Sequence, residues 1–186
     1  MTVLYFFYGS LQDPAQIRGV LDLPEAHGII LRPARISGYN IKLWGPYPAL
    51  IRDEPSRNED TTDEQSKAYV DGSVFEVRSD KHEAQFQYYE TRNYTPHWVQ
   101  IEVGTGVGVQ SDEAYETIAG KTFVWNGAAS DLQDGTFDLQ DFLRQKARWF
   151  KTLNDEVEEG EINCKPVVME IRENIHADIH RETFDD

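Results

Sequence analysis

Val3-Leu4-Tyr5-Phe6-Phe7-Tyr8-Gly9-Ser10-Leu11 is the stretch from which the fold is read. Five apolar or aromatic residues run without a charge into Tyr8, and the run closes on glycine. So short a run, this rich in aromatic residues, predicts a strand buried on both faces. Gly9 has no Cβ, so the backbone there can approach a ligand closely. If the amides after it stay unpaired, they form a concave set of N–H donors suited to an anion or a developing oxyanion. Alone, the motif is shared by many proteins that begin with a buried strand and a Gly-Ser turn.

Outward from that strand, helix and strand signals alternate. Asp13 is placed to cap a short helix that has Pro14 at its first position and runs to Leu21. Leu31–Ile36 and Gly38–Trp44 alternate as strands, with Gly38 at a bend or bulge. Gly45-Pro46-Tyr47-Pro48-Ala49-Leu50 carries two prolines, which forbid a helix and predict a rigid extended loop. The stretch from Asp53 to Lys67 is charged and polar and reads as a solvated excursion. A strand follows over Ala68–Val77, with a bulge expected at Gly72.

Asp80 and Glu83 are spaced as a capping box that opens a helix through Tyr88 to Glu90. Trp98–Val103 and Lys121–Trp125 read as further strands. Between them, Gly104-Thr105-Gly106-Val107-Gly108 fits neither a P-loop nor a dinucleotide fingerprint and is taken as a turn. Asp138 caps a long helix to about Val157, whose stripe Leu139, Phe142, Leu143, Phe150, Leu153 and Val157 should pack on the sheet. Residues 155–186 hold eleven acids against three bases, so the stretch past His176 is expected to be dispensable for the fold.

The 186 residues give room for one well-filled domain, and a 12% aromatic share can supply its core. A net charge of -15 argues against nucleic-acid and anionic-membrane partners, which need clustered Lys and Arg. The single cysteine, Cys164, excludes an intrachain disulfide framework and fits a reducing compartment. With no signal-peptide layout and no membrane-length apolar run, the expectation is a soluble cytoplasmic protein.

Glu90 is the residue that local physics singles out. Phe86, Tyr89 and Glu90 fall at i, i+3 and i+4 of the predicted helix, so the carboxylate shares a face with two aromatics. Loss of hydration there raises a carboxylate's pKa and suits it to shuttle protons near neutral pH. The alternative is an ion pair with Arg92, or a surface carboxylate on a frayed helix end. Other candidates are weaker. His176 and His180 lack the adjacent Glu of the metalloprotease motif, His97 has no assigned partner, and Cys164 has no neighbouring base. Ser10 lacks a nucleophile elbow and is read as a backbone donor.

Together, Tyr8-Gly9-Ser10-Leu11, Tyr47-Pro48-Ala49-Leu50, Val70-Asp71-Gly72-Ser73-Val74-Phe75-Glu76-Val77 and Tyr89-Glu90 with Tyr94 resemble the gamma-glutamyl cyclotransferase-like superfamily. Tyr88-Tyr89-Glu90-Thr91 is most similar to its AIG2-like branch. The resemblance spans roughly residues 3 to 126. It implies an α+β fold, a small mixed β-barrel flanked by helices. The chain is read as one such domain at 1–160, followed by an acidic, partly ordered extension at 161–186 that has no counterpart in the family. The resemblance implies Glu90 as the catalytic acid–base. Tyr8, Gly9, Ser10, Leu11, Tyr47, Pro48 and Tyr94 would bind a small-molecule amide, without metal or cofactor, in a monomer or homodimer. The implied reaction is intramolecular attack of the substrate amine on a γ-glutamyl amide, releasing 5-oxoproline and an amine. Alternatives are a same-fold enzyme acting on another amide in specialised metabolism, and a non-enzymatic binding module.

Overall fold

The computed structural model describes residues 2–53, 68–105 and 115–158, excluding the side chains of Phe150 and residues 152–158. Most of the charged excursion, most of the Gly104–Gly108 run, Cys164, His176, His180 and the 161–186 extension lie outside the described residues. The chain divides into one unit over Met1–Phe142 and another over Leu143–Asp186.

In the first unit, β1 (Val3–Phe7), β2 (Arg32–Ser37), β5 (Tyr69–Val77), β6 (Tyr94–Gly104) and β7 (Tyr115–Trp125) close into a barrel in the order β1-β5-β2-β6-β7. Every pairing is antiparallel except β1 with β7, where Tyr5 lies opposite Lys121. β3 (Tyr39–Trp44) and β4 (Tyr47–Arg52) form a separate two-stranded sheet. The helices are α1 (Pro14–Leu21), α2 (Asp80–Glu90) and α3 (Leu139–Glu158). Among the described residues, no helix is long and apolar enough to cross a membrane.

The first strand is buried on both faces, as its composition requires: Tyr5, Phe6 and Phe7 are all within 2% of full burial. Strand alternation then divides its aromatics between two cores. Phe6 and Tyr8 join Ile36, Val74, Ile101 and Val124, a cluster drawn from all five barrel strands. Tyr5 and Phe7 join Ile17 and Leu21 of α1, Phe86 of α2, and Phe123. One nine-residue stretch therefore seeds both the barrel interior and the helix-covered layer.

Four local expectations are corrected. Tyr47–Arg52 is a strand, not a loop: Gly45, with φ of +57°, turns the chain, and Leu43 pairs with Pro48 across the hairpin. A two-stranded sheet tolerates Pro48 because its missing N–H can face away from the partner. The α2 cap is Ser79, whose Oγ accepts from His82 N at 3.2 Å, leaving Glu83 free of the capping role. Gly72 is not a bulge, since the ladder to β2 passes through it unbroken, with Ala34 opposite. A Cβ there would lie 2.3 Å from the Phe7 carbonyl oxygen, so close backbone approach is what demands glycine. Finally, β6 and β7 run eleven residues each, longer than their apolar cores suggest, because they pair with each other along their whole length.

Two caps stand as read. Asp13 Oδ1 accepts from Ala15 N at 3.0 Å, and Asp138 Oδ1 accepts from Asp141 N at 2.7 Å. Of the α3 stripe, Phe142 packs on the rings of Tyr47 and Phe137, at 5.8 and 5.7 Å between centroids. The second unit is described only as the continuation of α3 from Leu143 to Glu158.

Candidate active site

β1 delivers the chain into a single 3-10 turn, Ser10–Gln12. Gln12 N donates to Gly9 O and Asp13 N donates to Ser10 O, each at 3.1 Å. The N–H groups of Gly9, Ser10 and Leu11 have no protein acceptor among the described residues. They are the unpaired amides that open any such turn. Gly9 itself passes close to Pro48, whose Cγ lies 2.9 Å from where a Cβ would sit.

Facing this turn is the end of α2. Phe86 anchors the helix with no exposed surface. Four residues on, Glu90 closes the last turn, and Thr91 then stops the helix with φ of +63° and ψ of −173°. That conformation is sparsely populated for a β-branched residue, so the chain stores strain immediately beside Glu90.

Between the turn and the helix end lies a cavity of about 330 Å³. Tyr8, Gly9, Ser10, Leu11, Tyr47, Pro48, Glu90 and Tyr94, the eight residues singled out from the sequence, all line it. Phe6, Phe7, Trp44, Tyr89, Thr91 and Phe123 complete the same wall, none of them among the site residues expected from the sequence. Tyr89 had a signal in its helical stripe with Phe86 and Glu90; Trp44, at the end of a half-buried strand, had none. His97 stands apart, exposed, with its Nε2 3.1 Å from Thr95 Oγ1. No Lys, Arg or His among the described residues lines the cavity. Among the described residues, no cluster of three His, Cys, Asp or Glu is arranged to hold a metal.

The residue Glu90 is half-buried overall, but its carboxyl faces the cavity, and burial pushes its pKa up to about 7. No ion pair to Arg92 offsets that burial; Arg92 is exposed. The neighbouring phenols feel the same carboxylate. Burial first, then the Glu90 charge, raises Tyr8 and Tyr94. Tyr89 rises to about 12, chiefly by burial, against a lowering bond to Ser10.

Their hydroxyls are held by the protein. Tyr8 OH donates to Phe123 O at 2.7 Å, and Tyr94 OH donates to Pro48 O at 3.2 Å. The Ser10 and Tyr89 hydroxyls are 2.9 Å apart. The cavity therefore offers three things: free backbone N–H donors, aromatic walls, and one carboxyl that exchanges its proton near neutral pH. Such a set can hold one anionic group and move one proton.

A sequence family described as gamma-glutamyl cyclotransferase, AIG2-like, matches residues 5–144. No curated relative matches the chain. Among solved structures, the chain is similar to an Arabidopsis thaliana protein, At5g39720.1, at 25% identity and a TM-score of 0.51, covering 87% of this chain and 94% of that one. A second Arabidopsis thaliana protein, At3g28950.1, aligns at 21% identity and a TM-score of 0.49, covering 89% and 94%. A yeast gamma-glutamyl cyclotransferase specific to glutathione aligns at 15% identity and a TM-score of 0.44, over 67% of this chain and 69% of that one.

Proposed function

This chain belongs to the gamma-glutamyl cyclotransferase, AIG2-like family, and we propose that it is an enzyme that cyclises γ-glutamyl amides to 5-oxoproline with release of an amine. The observation that carries this reading is Glu90: a lone carboxyl, raised to about 7 by burial, across one cavity from three unpaired amides.

The substrate brings its own nucleophile. Glu90 takes a proton from the substrate α-amine, whose nitrogen attacks the γ-carbonyl carbon and closes a five-membered ring. The negative charge gathered on the carbonyl oxygen, or the substrate's α-carboxylate, is met by the Gly9, Ser10 and Leu11 amides. Glu90 returns its proton to the departing nitrogen as the amide C–N bond breaks. A carboxyl with a pKa near 7 serves both halves, since it is neither too weak a base nor too weak an acid. Because the attack is intramolecular, proximity is built into the substrate and the step draws on no cofactor.

The lining also speaks to the leaving group. A γ-glutamyl dipeptide or glutathione carries a second carboxylate on the amine side. With no cation in the wall among the described residues, and with Trp44 and Tyr47 lining the space, an amine that carries no carboxylate is the better fit. The working partner is thus a small-molecule amide, and the protein acts in the cytoplasm as a monomer or homodimer.

The test is a panel of γ-glutamyl amines, γ-glutamyl dipeptides and glutathione, with 5-oxoproline measured by mass spectrometry. Release of 5-oxoproline that disappears in Glu90→Gln supports the reading. Turnover of another amide, without 5-oxoproline, places the chain with a same-fold enzyme of specialised metabolism. Ligand binding without turnover of any amide leaves a binding module.

A further inference from the structure

α2 carries a second carboxylate on the face that bears Glu90. Glu83 stands seven residues earlier, two helical turns less about 20°, which is ~10 Å along the axis. Its Oε1 accepts from the Tyr5 hydroxyl at 2.7 Å and from the Lys121 ammonium at 2.5 Å. Tyr5 and Lys121 are opposite one another on β1 and β7, the one parallel pair in the barrel. One carboxylate oxygen therefore ties the helix to both strands.

From that tie, α2 and β1 run in the same direction. Glu83 meets Tyr5; Phe86 packs on the rings of Tyr5 and Phe7, at 6.3 and 5.2 Å between centroids; Tyr89 meets Ser10. Each step along the helix reads the next step along the strand, and the series ends with Glu90 in the cavity. The apolar hold on this helix is thin, because Phe86 is its one fully buried residue. That anchor and the Tyr89–Ser10 bond both hold the C-terminal half of α2, and leave its N-terminal half free to pivot. A directional attachment at Glu83 removes that freedom.

We propose that Glu83 is a positioning residue for Glu90: its bonds from Tyr5 and Lys121 fix the seat of α2, and so hold the Glu90 carboxyl at the cavity against the Gly9–Leu11 turn. The proposal rests on Glu90 being the proton-transfer group. The groups facing Glu83 are Tyr5 and Lys121, and Gln87 bonds in turn to the Tyr5 hydroxyl. Those facing Glu90 are Tyr8, Tyr89 and Tyr94. The Lys121 and Tyr5 bonds hold the Glu83 carboxyl below the usual carboxylate range, so it is ionised wherever the protein works.

The test is a side-chain carboxyl titration of Glu90 by NMR in the full-length chain, in the parent protein and in Glu83→Gln, Lys121→Met and Lys121→Arg. If Glu83 positions the helix, both Glu83→Gln and Lys121→Met let water reach Glu90, and its midpoint falls by about one pH unit, a tenfold change in proton affinity. Lys121→Arg keeps the pair and restores the midpoint. Direct charge effects act differently: removing the Glu83 charge lowers the midpoint, but removing the Lys121 charge raises it. An unmoved or raised midpoint in folded Lys121→Met overturns the proposal, even if Glu83→Gln fails to fold.

A kinetic arm on any substrate found above expects kcat to fall about tenfold, on the scale of a misplaced acid–base group, with KM near its parent value. Loss confined to KM overturns the proposal. Should no γ-glutamyl compound turn over, the titration still reads Glu83, so the two failures separate.

Discussion

The hydroxyls of Ser10 and Tyr89 lie 2.9 Å apart and join the turn after β1 to the last turn of α2, one residue from Glu90. The bond is made by the side chain of Ser10, whereas the proposed reaction draws on its amide. Ser10→Ala should therefore keep most of the turnover, losing about fivefold, or ~1 kcal/mol for one hydrogen bond. Tyr89→Phe should lose about as much, and the double variant no more than either, since they remove the same bond. Steady-state kinetics on the three proteins decides this. A dead Ser10→Ala would make the hydroxyl itself a nucleophile.

Gly9 is needed for space, not for backbone freedom. A Cβ there would lie 2.9 Å from Pro48 Cγ, and both residues line the cavity. Gly9→Val is expected to remain folded by circular dichroism but to lose detectable turnover, with ligand binding weakened at least tenfold by isothermal titration. A fully active Gly9→Val would remove the turn from the binding site.

For Glu90, the sign of the pH effect follows from its raised pKa. The folded protein holds the proton up to about pH 7, whereas the unfolded chain releases it near the ordinary carboxylate value of about 4.5. Stability linked to this group is thus full below the unfolded value, declines as pH rises through that window, and is lowest above pH 7. Glu90→Gln abolishes this penalty. At pH 8 it should melt higher than the parent, by up to about 3 kcal/mol of stability, while the two converge below pH 4.5. Turnover should fall about 100-fold or more, and the parent's kcat/KM should rise with pH through an apparent pKa near 7. Near-normal turnover in folded Glu90→Gln would sink the mechanism.

Thr91 ends α2 at φ of +63°, where a β-branched side chain is strained. Thr91→Gly should relieve that strain at the cost of a more flexible unfolded chain, giving a net gain of about 1 kcal/mol in denaturant melts. Thr91→Val keeps the branching and should show no such gain. Greater stability in Thr91→Gly together with slower turnover would show that the strain holds Glu90 in its working position. Lower stability in Thr91→Gly would deny that Thr91 is strained.

Much of this architecture follows from rules that act over a few residues. The uncharged aromatic run from Val3 to Phe7 had to be buried on both sides, and its alternation divides Tyr5 and Phe7 from Phe6 and Tyr8. Asp13 and Pro14 start α1 by local hydrogen bonding and ring geometry. Glu90 shares its helix face with Phe86 and Tyr89 because 3.6 residues make a turn, and nothing beyond the helix is needed to know it.

Tertiary structure decided what depends on distant partners. Tyr47–Arg52 becomes a strand only because β3 lies beside it to take its hydrogen bonds, and two prolines hide that from any local rule. Glu83 looked like half of a capping box; what claims it instead is Tyr5, 78 residues away along the chain, and Lys121, 38 residues away. Glu90 reaches a pKa of about 7 by burial in a cavity walled by β1, β4 and β6 residues as well as its own helix. Periodicity places a carboxylate on a face, but desolvation depends on which other segments cover that face. The closed barrel and the separate β3–β4 hairpin together supply the cover, bringing residues 8–11 and 94, and residues 47–48, around Glu90.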